Sequence, residues 1–585
     1  MKLPLPCVSN YLYNSRCSAK EMEKYLQMKQ TNLPDLKWLV SELVPSITKK
    51  TTITLRGNAH LTLSDIAALD SKTTQIQIHP TAEVQKRINK IRKAMLSQVE
   101  QGVPIYGVSS AYGGQAGRVL NKGAKQQRYT QAKKMSQAIV HVDVSTGPSI
   151  PTRIVRAAML IRINMLLPGY SAIRLEVLNA LASLLNHRLT PVVGFFGTLG
   201  ASGDLAHNGR VLSTLLHDPS AMVEKPSGEL APANLALTEE NIEKIALEPK
   251  EGLALVNGDN FSSAAASVQV IETTQLMLIN LLTSALMIQA LKGSNRNFHP
   301  LLSAVRPHRG QTFVAQSLLN LLKQSRLVVD ELKGPKKRKK DAIIQDGYSI
   351  RCLPQYLGPD WETVEAVWNT VNVNINGVSD NPLWTTPETV TRNEKAYQWV
   401  SGGNFLAMYM ADSLDKIRKV LVHIVKQNDR HLSRLINPHQ NNNLPANISD
   451  PSSISQCTFK GLQTQMGMYD VYATILAAPV STAFGVHEEL NQDLTSHAMT
   501  SALMNQEVLK LTRYSLASNL IAACQAIELR GGPQLLSPAT RPAFEWIRNR
   551  VPYITTEQPL GHFIEKVAQE LTDPKLLLPI IKKTK

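Results

Sequence analysis

One segment of the chain is too apolar to lie on the surface of a soluble protein. The run LMLINLLTSALMIQALKG, residues 276–293, is apolar on nearly every side of a helix. Such a helix belongs in the centre of a large bundle or in a membrane. Polar residues interrupt the run and favour the bundle; they are Asn280, Thr283, Ser284 and Gln289. We therefore expect a buried helix around which other helices pack.

Helical periodicity continues through most of the chain after about residue 151. Apolar residues recur every three or four positions in RIVRAAMLIRINMLL, SAIRLEVLNALASLLNHRL and FVAQSLLNLLKQSRLVVDEL. This spacing is typical of helices with one buried face. It continues in residues 361–375, 404–427, 458–478 and 496–530. The sequence therefore predicts a mainly α fold with a long central helical bundle, in which long parallel helices carry functional loops at their ends.

The N-terminal part of the sequence has a different character. TTITL is typical of a short strand, a helix is expected near Ser64, and another from about Thr81 to Gln101. The glycine- and serine-rich GVPIYGVSSAYGGQ is a candidate mobile loop. We expect four regions: an N-terminal extension (1–50), a smaller mixed N-terminal domain (51–255), the central helical bundle (256–530) and a short C-terminal segment (531–585).

Charge and cysteine content limit the partners. The formal net charge of +17 comes from 63 basic and 46 acidic residues and favours anions. The basic run Lys336–Lys340 lies in a Gly/Pro-containing connector, which predicts a solvated loop; a localisation signal or nucleic-acid patch is the alternative. Five scattered cysteines predict neither a metal site nor disulfides. With an N-terminus too polar for a secretory signal, we expect a cytoplasmic location.

The stretch GTLGASGDLAH, residues 197–207, is compatible with three kinds of loop. No lysine follows Gly203, which excludes a phosphate-binding P-loop, and the order G-A-S-G-D does not match the GxSxG of a hydrolase. The third possibility is backbone chemistry: the nitrogen of Gly203 attacks the carbonyl of Ala201, and loss of water, also from Ser202, leaves an electrophile. The alternative is an ordinary glycine-rich helix start, with Ser202 or Asp204 as N-cap.

Blocks elsewhere in the chain decide how this stretch is interpreted. GTLGASGDLAH resembles the Ala-Ser-Gly segment of the aromatic amino acid ammonia-lyases and aminomutases, which form a methylidene-imidazolone (MIO) group from it. Seven further blocks are similar to this family, in the family's order, and most of all to fungal phenylalanine ammonia-lyases: GYSAIRLEVLNALASLLNHRLTPVV, QDGYSIRCLPQYLGP, SDNPLW, SGGNF, FKG, HEELNQD and CQAIELR. The resemblance implies a histidine ammonia-lyase-like fold, with the lid loop and the triad in the N-terminal domain and no shielding domain in the C-terminal segment.

The resemblance also implies roles for individual residues. Ala201, Ser202 and Gly203 would form the MIO group, and Tyr106 in the lid loop would be the catalytic base. Arg351 would bind the substrate carboxylate. The remaining residues would line the site: Asn257 beside the MIO group, Gln345 and the catalytic Tyr348, Asn381 as a second carboxylate contact, Phe405 as an aromatic wall, and Lys460, Glu488, Asn491 and Gln492 at the far side of the pocket. Lys460 and Glu488 could also pair with each other.

One position departs from the family's pattern. The resemblance places Asp143 and Val144 where the family's substrate-selecting residues stand, and no known pattern has an aspartate there. A carboxylate that faces an apolar ring is costly unless it is paired. Either the substrate carries a donor or a cation, or a protein cation such as Lys460 neutralises Asp143. A shift of the comparison that places His141 there is the alternative.

These observations leave an ordered set of functions. The first is an MIO-dependent ammonia-lyase for a phenylalanine-like L-aromatic amino acid. The second is an MIO-dependent 2,3-aminomutase, or a lyase for a polar or cationic side chain bound by Asp143. The third is a basic scaffold without catalysis. The resemblance further implies a homotetramer whose active sites are shared between chains, with no membrane or nucleic acid as partner.

Overall fold

A computed structural model of the chain describes residues 35–47, 51–58, 60–120, 122–334, 344–483 and 485–584. Most of the predicted N-terminal extension and the basic run Lys336–Lys340 lie outside the described residues. In the described part, helices dominate and strands are few and short. The predicted mainly α fold is confirmed.

The N-terminal region combines short strands with helices that begin at capping residues. Thr62 and Asp65 form a capping box, and Thr81 Oγ1 accepts a hydrogen bond from Val84 N (3.3 Å). The helix predicted from Thr81 to Gln101 is therefore present with Thr81 as its N-cap. The helices are α1 (Lys37–Ile47), α2 (Leu63–Ala68), α3 (Ala82–Gln101), α4 (Lys125–Ala138), α5 (Thr152–Leu166), α6 (Leu175–His187), α7 (Leu205–Leu215), α8 (Ala233–Glu239) and α9 (Glu251–Val256).

Short strands tie the connections between these helices together. The strands are β1 (Thr52–Leu55), β2 (Gln75–Ile78), β3 (Thr146–Ser149), β4 (Thr190–Pro191), β5 (Gly194–Phe196), β6 (Met222–Glu224), β7 (Leu230–Pro232), β8 (Leu383–Trp384) and β9 (Trp399–Val400). β1 and β2 pair in parallel, whereas β3 with β5, β4 with β6, β6 with β7 and β8 with β9 are antiparallel. The β3–β5 pair immediately precedes the GTLGASGDLAH stretch and fixes its starting point.

The remainder of the chain forms the helical bundle and the helices that cover it. These are α10 (Asn260–Ala290), α11 (Pro300–Ala304), α12 (Arg309–Leu322), α13 (Tyr348–Arg351), α14 (Leu353–Ile375), α15 (Met408–Ile436), α16 (Lys460–Ile475), α17 (Ala498–Leu529), α18 (Arg541–Arg548), α19 (Gly561–Gln569) and α20 (Pro574–Thr584). Among the described residues, one stretch, Glu251–Ala290, is long and apolar enough to cross a membrane, but 94% of its most apolar window is buried in the protein. The expectation of a buried central helix is confirmed.

Buried asparagines align the three longest helices. Asn428 Nδ2 donates to Asn280 Oδ1 (2.9 Å), and Asn519 Nδ2 donates to Asn428 Oδ1 (2.6 Å). These three residues, hereafter the asparagine ladder, lie 20, 20 and 21 positions after the first residues of α10, α15 and α17. The three helices are therefore parallel, in register, and begin at one end of the bundle. Their polar interruptions are hydrogen-bonded, as burial requires.

Contacts at the two ends of α15 define a direction along the bundle. Just before its first turn, Ala407 N donates to Gly200 O (3.3 Å); we call this the triad end. Close to its last turn, His431 Nε2 contacts Ser349 O (2.7 Å); we call this the distal end. The helix between Ala407 and His431 spans about 36 Å at 1.5 Å per residue. The GTLGASGDLAH stretch and α13 therefore lie at opposite ends.

Helix α16 runs in the opposite direction to α15. Asp470 contacts Lys426 Nζ (3.2 Å), and the later Ala478 O accepts a hydrogen bond from Arg418 Nη2 (2.7 Å). Residue numbers along α16 thus rise as those along α15 fall. Lys460, the first residue of α16, consequently lies at the distal end.

One apolar core connects the predicted regions. A single cluster of buried side chains extends from Leu36 to Ile581 among the described residues, and a smaller cluster lies between α3 and Trp384. The C-terminal segment contributes α19, which packs on α17, and α20, which packs on α10. The segment therefore stabilises the bundle, and the boundaries at residues 50, 255 and 530 stay predictions.

Acid is expected to destabilise the distal end through His431. Burial lowers the pKa of His431 from its ordinary 6.5 to about 4. Between these pH values the unfolded chain binds a proton that the folded chain does not, so stability falls as the pH falls, by roughly 1.4 kcal/mol per pH unit. His431→Gln keeps a donor for Ser349 O and should narrow the Tm difference between about pH 6.5 and about pH 4.5. An equal narrowing in His562→Gln, at an exposed histidine, would contradict this origin.

Candidate active site

Two glycines allow the Ala201-Ser202-Gly203 triad to lie against neighbouring backbone. Gly203 has φ of +70° and Gly200 has φ of +66°, in the left-handed region that favours glycine. A Cβ on Gly203 would overlap the carbonyl carbon of Gly258, and one on Gly200 would overlap Ser496 Oγ. The loop therefore fits in this place only because both positions are glycine.

Hydrogen bonds hold the triad in this conformation. Thr198 Oγ1 donates to Gly203 O (2.8 Å), and Ser496 Oγ donates to Gly200 O (3.1 Å). Ser202 is half-buried, and its Oγ accepts a hydrogen bond from Gln492 Nε2 (2.9 Å). The side chain that would lose its oxygen on cyclisation is thus already bonded to a donor.

Helix N-termini surround the triad. Asp204 occupies the N-cap position of α7, but its carboxylate accepts from Ser262 N (2.8 Å) and Ser262 Oγ (2.7 Å), in the first turn of α10. Burial raises the pKa of Asp204 to about 7. The helices α15 and α17 also begin at the triad end, where His497 N donates to Leu199 O (2.9 Å). The partial positive charge of several helices therefore converges on one loop and stabilises negative charge there.

The lid loop places Tyr106 in a poor environment for a base. Tyr106 Oη accepts a hydrogen bond from Gly113 N (3.0 Å), which favours the phenolate. Burial acts more strongly in the opposite direction, with help from the carboxylate of Glu488, so that the pKa of Tyr106 lies above its ordinary value. The sequence-based expectation of an activated tyrosine is not met within one chain.

A tight turn connects the lid loop with the triad. Glu488, Glu489 and Leu490 all have positive φ, between 52° and 71°. Glu488 lies so close to the lid that a Cβ on Gly113 would overlap its carboxylate, and Gln115 Nε2 donates to Glu489 Oε1 (3.2 Å). Two residues later Gln492 reaches Ser202. Asn491, which donates to Glu488 Oε2 (3.0 Å), stabilises this turn.

Three further predicted residues lie at the triad end. Asn257, at the end of α9, donates through Nδ2 to Asn381 O (3.1 Å). Asn381 Oδ1 accepts a hydrogen bond from Gly402 N (3.0 Å). Phe405 precedes by two residues the Ala407 that donates to Gly200 O. The structure therefore brings Asn257, Asn381 and Phe405 to the triad, as the resemblance implies.

Four predicted residues are not at the triad end of the same chain. Gln345, Tyr348 and Arg351 lie around α13, and Lys460 begins α16, all at the distal end. The guanidinium of Arg351 stacks on the ring of Tyr348 at 4.3 Å. With its oxygen toward Arg351, the Gln345 carboxamide accepts from Nη1 (2.9 Å). These residues form a cluster of their own, and Lys460 cannot pair with Glu488 of the same chain.

Comparisons with known proteins identify the family. The family model described as aromatic amino acid lyase matches residues 61–549. The chain belongs to the aromatic amino acid lyase family. It is 31% identical to the phenylalanine ammonia-lyase of Nostoc punctiforme over 490 residues, which are 83% of this chain and 84% of the relative. It is 30% identical to the histidine ammonia-lyase of Clostridium tetani over 529 residues, which are 90% of this chain and 97% of the relative.

A solved structure of the family shares the whole architecture. The tyrosine aminomutase of Streptomyces globisporus superposes with a TM-score of 0.80 at 26% identity, covering 91% of this chain and 99% of that one. Members of this aromatic amino acid lyase family are thus both ammonia-lyases and aminomutases, and the predicted fold class is confirmed.

Asp143 does not present a free carboxylate in this family member. Arg210 Nε donates to Asp143 Oδ1 (3.0 Å), and the Asp143 side chain is only 9% exposed. The cation that neutralises Asp143 is therefore Arg210 of α7, which corrects the expectation of Lys460. Val144, by contrast, is 61% exposed. His141 is exposed and contacts Ala138 O through Nδ1 (2.8 Å).

Several residues that build the site were missed in the sequence. Arg210, Thr198, Ser262 and Ser496 each contact a predicted residue or its loop, but none has a partner at a fixed sequence spacing. Only Arg162 gave a signal. It interrupts the apolar run RIVRAAMLIRINMLL and is 2% exposed, and a charge in a fully buried stretch requires partners.

Substitution at Gly203 is expected to be far more costly than at an open glycine. Gly203→Ala combines a left-handed backbone with overlap against Gly258, so we expect a loss of about 2 kcal/mol or more in the free energy of unfolding. Gly561→Ala is the matched control, since a Cβ at Gly561 meets no atom within 4 Å. The two values of Tm measure the difference. Equal values would show that Gly203 and Gly258 are not in close contact.

Proposed function

We propose that this chain is an MIO-dependent ammonia-lyase that converts a phenylalanine-like L-amino acid into the α,β-unsaturated acid and ammonia. The observation that carries the proposal is the triad itself, bent by two required glycines and surrounded by helix N-termini. Small residues allow the strained approach of one backbone nitrogen to a carbonyl two residues earlier. The family membership supports the same chemistry.

The residues of the triad fit the formation of this group. A bond from Gly203 N to the carbonyl carbon of Ala201 closes a five-membered ring. The Ala201 oxygen leaves as water with the amide hydrogens of Gly203 and Ser202. A second water takes Ser202 Oγ and the hydrogen of Ser202 Cα. The donor Gln492 Nε2 at 2.9 Å assists departure of that oxygen. Once formed, the group supplies an electrophile that makes the substrate's amine a better leaving group.

Elimination further requires a base and a carboxylate site. Tyr106 lies in the lid loop near the triad, but its raised pKa requires a nearby positive charge before it can take a proton. Arg351 offers a planar guanidinium suited to a carboxylate, but it lies at the distal end. We propose that another copy of the chain, in a homotetramer, brings Arg351, Tyr348, Gln345 and Lys460 to this triad. One charge would then bind substrate and lower the pKa of Tyr106.

The surroundings of Asp143 favour an apolar aromatic side chain in the substrate. Its carboxylate is paired with Arg210, so little charge remains to bind a cationic substrate. The neighbouring exposed Val144 presents an apolar surface instead. Phenylalanine should therefore be preferred to histidine, which disfavours the alternative of a polar or cationic substrate.

A 2,3-aminomutase is the second candidate, and one observation favours it. The turn at Glu488 and Glu489 contacts the lid loop and hydrogen-bonds Gln115. A lid held in this way would retain ammonia near the unsaturated acid and allow its addition at the β-carbon. The product then distinguishes the two enzymes.

The mass and the products of the purified protein test the proposal. We expect a mass two water molecules below the encoded value, and an unsaturated acid with free ammonia from phenylalanine. Ser202→Ala should restore the encoded mass and lower kcat at least 1,000-fold, since the electrophile cannot form. A β-amino acid as main product would favour the aminomutase. The encoded mass in the unaltered chain would leave only the scaffold without catalysis.

Complementation between inactive variants tests the shared site. Ser202→Ala and Arg351→Ala should each be inactive alone. Co-expressed chains should regain activity, because some sites then combine an intact triad with an intact Arg351 from another copy. Chains with Ser202→Ala co-expressed with the double variant Ser202→Ala/Arg351→Ala form the control and should stay inactive. If the two single variants together regain nothing, the proposed sharing is wrong.

A further inference from the structure

A buried arginine joins two segments that carry predicted substrate contacts. Arg162 lies in α5 and is 2% exposed. Its Nη1 donates to Ser379 O (2.6 Å), and its Nη2 donates to Asn257 O (3.1 Å) and to Ala254 O. One guanidinium thus binds both the end of α9 and the segment just before Asn381. Its planar fork suits several acceptors at fixed angles.

The same guanidinium lies behind the triad. A Cβ on Gly258 would overlap Arg162 Nη1, just as a Cβ on Gly203 would overlap Gly258. Gly258 O also accepts a hydrogen bond from Asp204 N (2.9 Å). Arg162, Gly258 and Gly203 therefore form a stack without side-chain atoms between the two glycines. The position of Gly258, against which the triad bends, depends on Arg162.

The cost of burying this charge indicates a role beyond packing. Arg162 is surrounded by Asp204, Asp259 and Asp380, which oppose the lowering of its pKa by burial. Asp380 itself pairs with the fully buried Lys250 (2.7 Å). Buried charges of this kind stabilise a fold no better than apolar residues of similar size, whereas they can fix a particular geometry.

We propose that Arg162 is a positioning residue with two effects: it holds Gly258 against the triad for cyclisation, and it aligns Asn257 with Asn381 for substrate binding. Neither effect requires Arg162 to touch the substrate. The inference rests on the proposed function, and it adds a requirement for a residue outside the family's blocks of site residues.

The test compares two arginines of one helix. Arg162→Lys keeps a positive charge, but one ammonium cannot bind three carbonyl groups from two segments. We expect at least half of the chains to keep the encoded mass, and the cyclised chains to show KM for phenylalanine at least ten-fold higher. Arg156→Lys is the matched control. Arg156 is 3% exposed in the same helix and donates to Leu185 O alone (3.2 Å), so its mass and KM should not change.

A second variant keeps the proposal testable if Arg162→Lys does not fold. Gly258→Ala leaves the charge in place but pushes the guanidinium and the triad apart, and should likewise leave chains at the encoded mass. Full loss of two waters with unchanged KM in either folded variant would overturn the positioning role. Encoded mass in the unaltered chain would instead overturn the proposed function, so the two failures are distinguishable.

Discussion

The asparagine ladder is the contact on which the rest of this molecule depends. Asn280, Asn428 and Asn519 are hydrogen-bonded to one another in a fully apolar environment, and a slip of either neighbouring helix by one turn would leave these groups without partners. Such buried amides fix register because an unsatisfied polar group costs about 1–3 kcal/mol. With the register fixed, α10, α15 and α17 start at one level. Their N-termini, and the loops before them, must then meet.

The site follows from this convergence. Gly200 and Gly203 approach backbone that other helices bring to the same level, and Asp204 satisfies the first turn of α10 rather than that of its own helix. The close contact of Gly203 with Gly258 continues to Arg162, so the triad is supported from behind by a charged group in the core. Electrostatics and sterics therefore act on one tripeptide from several elements that are distant in sequence.

Much of this architecture was accessible from the sequence, for identifiable reasons. The helix at Ala82–Gln101 was predicted because its cap, Thr81, and its C-terminal Gly102 are local signals. The buried α10 was predicted because no amphipathic surface helix has its composition. The pairing of Asp143 with Arg210 was not, because the two residues are far apart in sequence and either could have faced solvent. Nor could spacing show that Arg351 lies about 36 Å of helix away from Ser202, or that the three carbonyls near Arg162 converge on it.

The length of α15 has a consequence for inheritance. In the proposed assembly, a chain whose triad and whose Arg351 lie at opposite ends of one rigid rod serves two different catalytic centres. A cell that expresses one normal and one defective allele would therefore lose more activity than the share of defective copies alone. Damage at either end spreads through the assembly, and a recessive lesion in a self-contained enzyme would become partly dominant in this one.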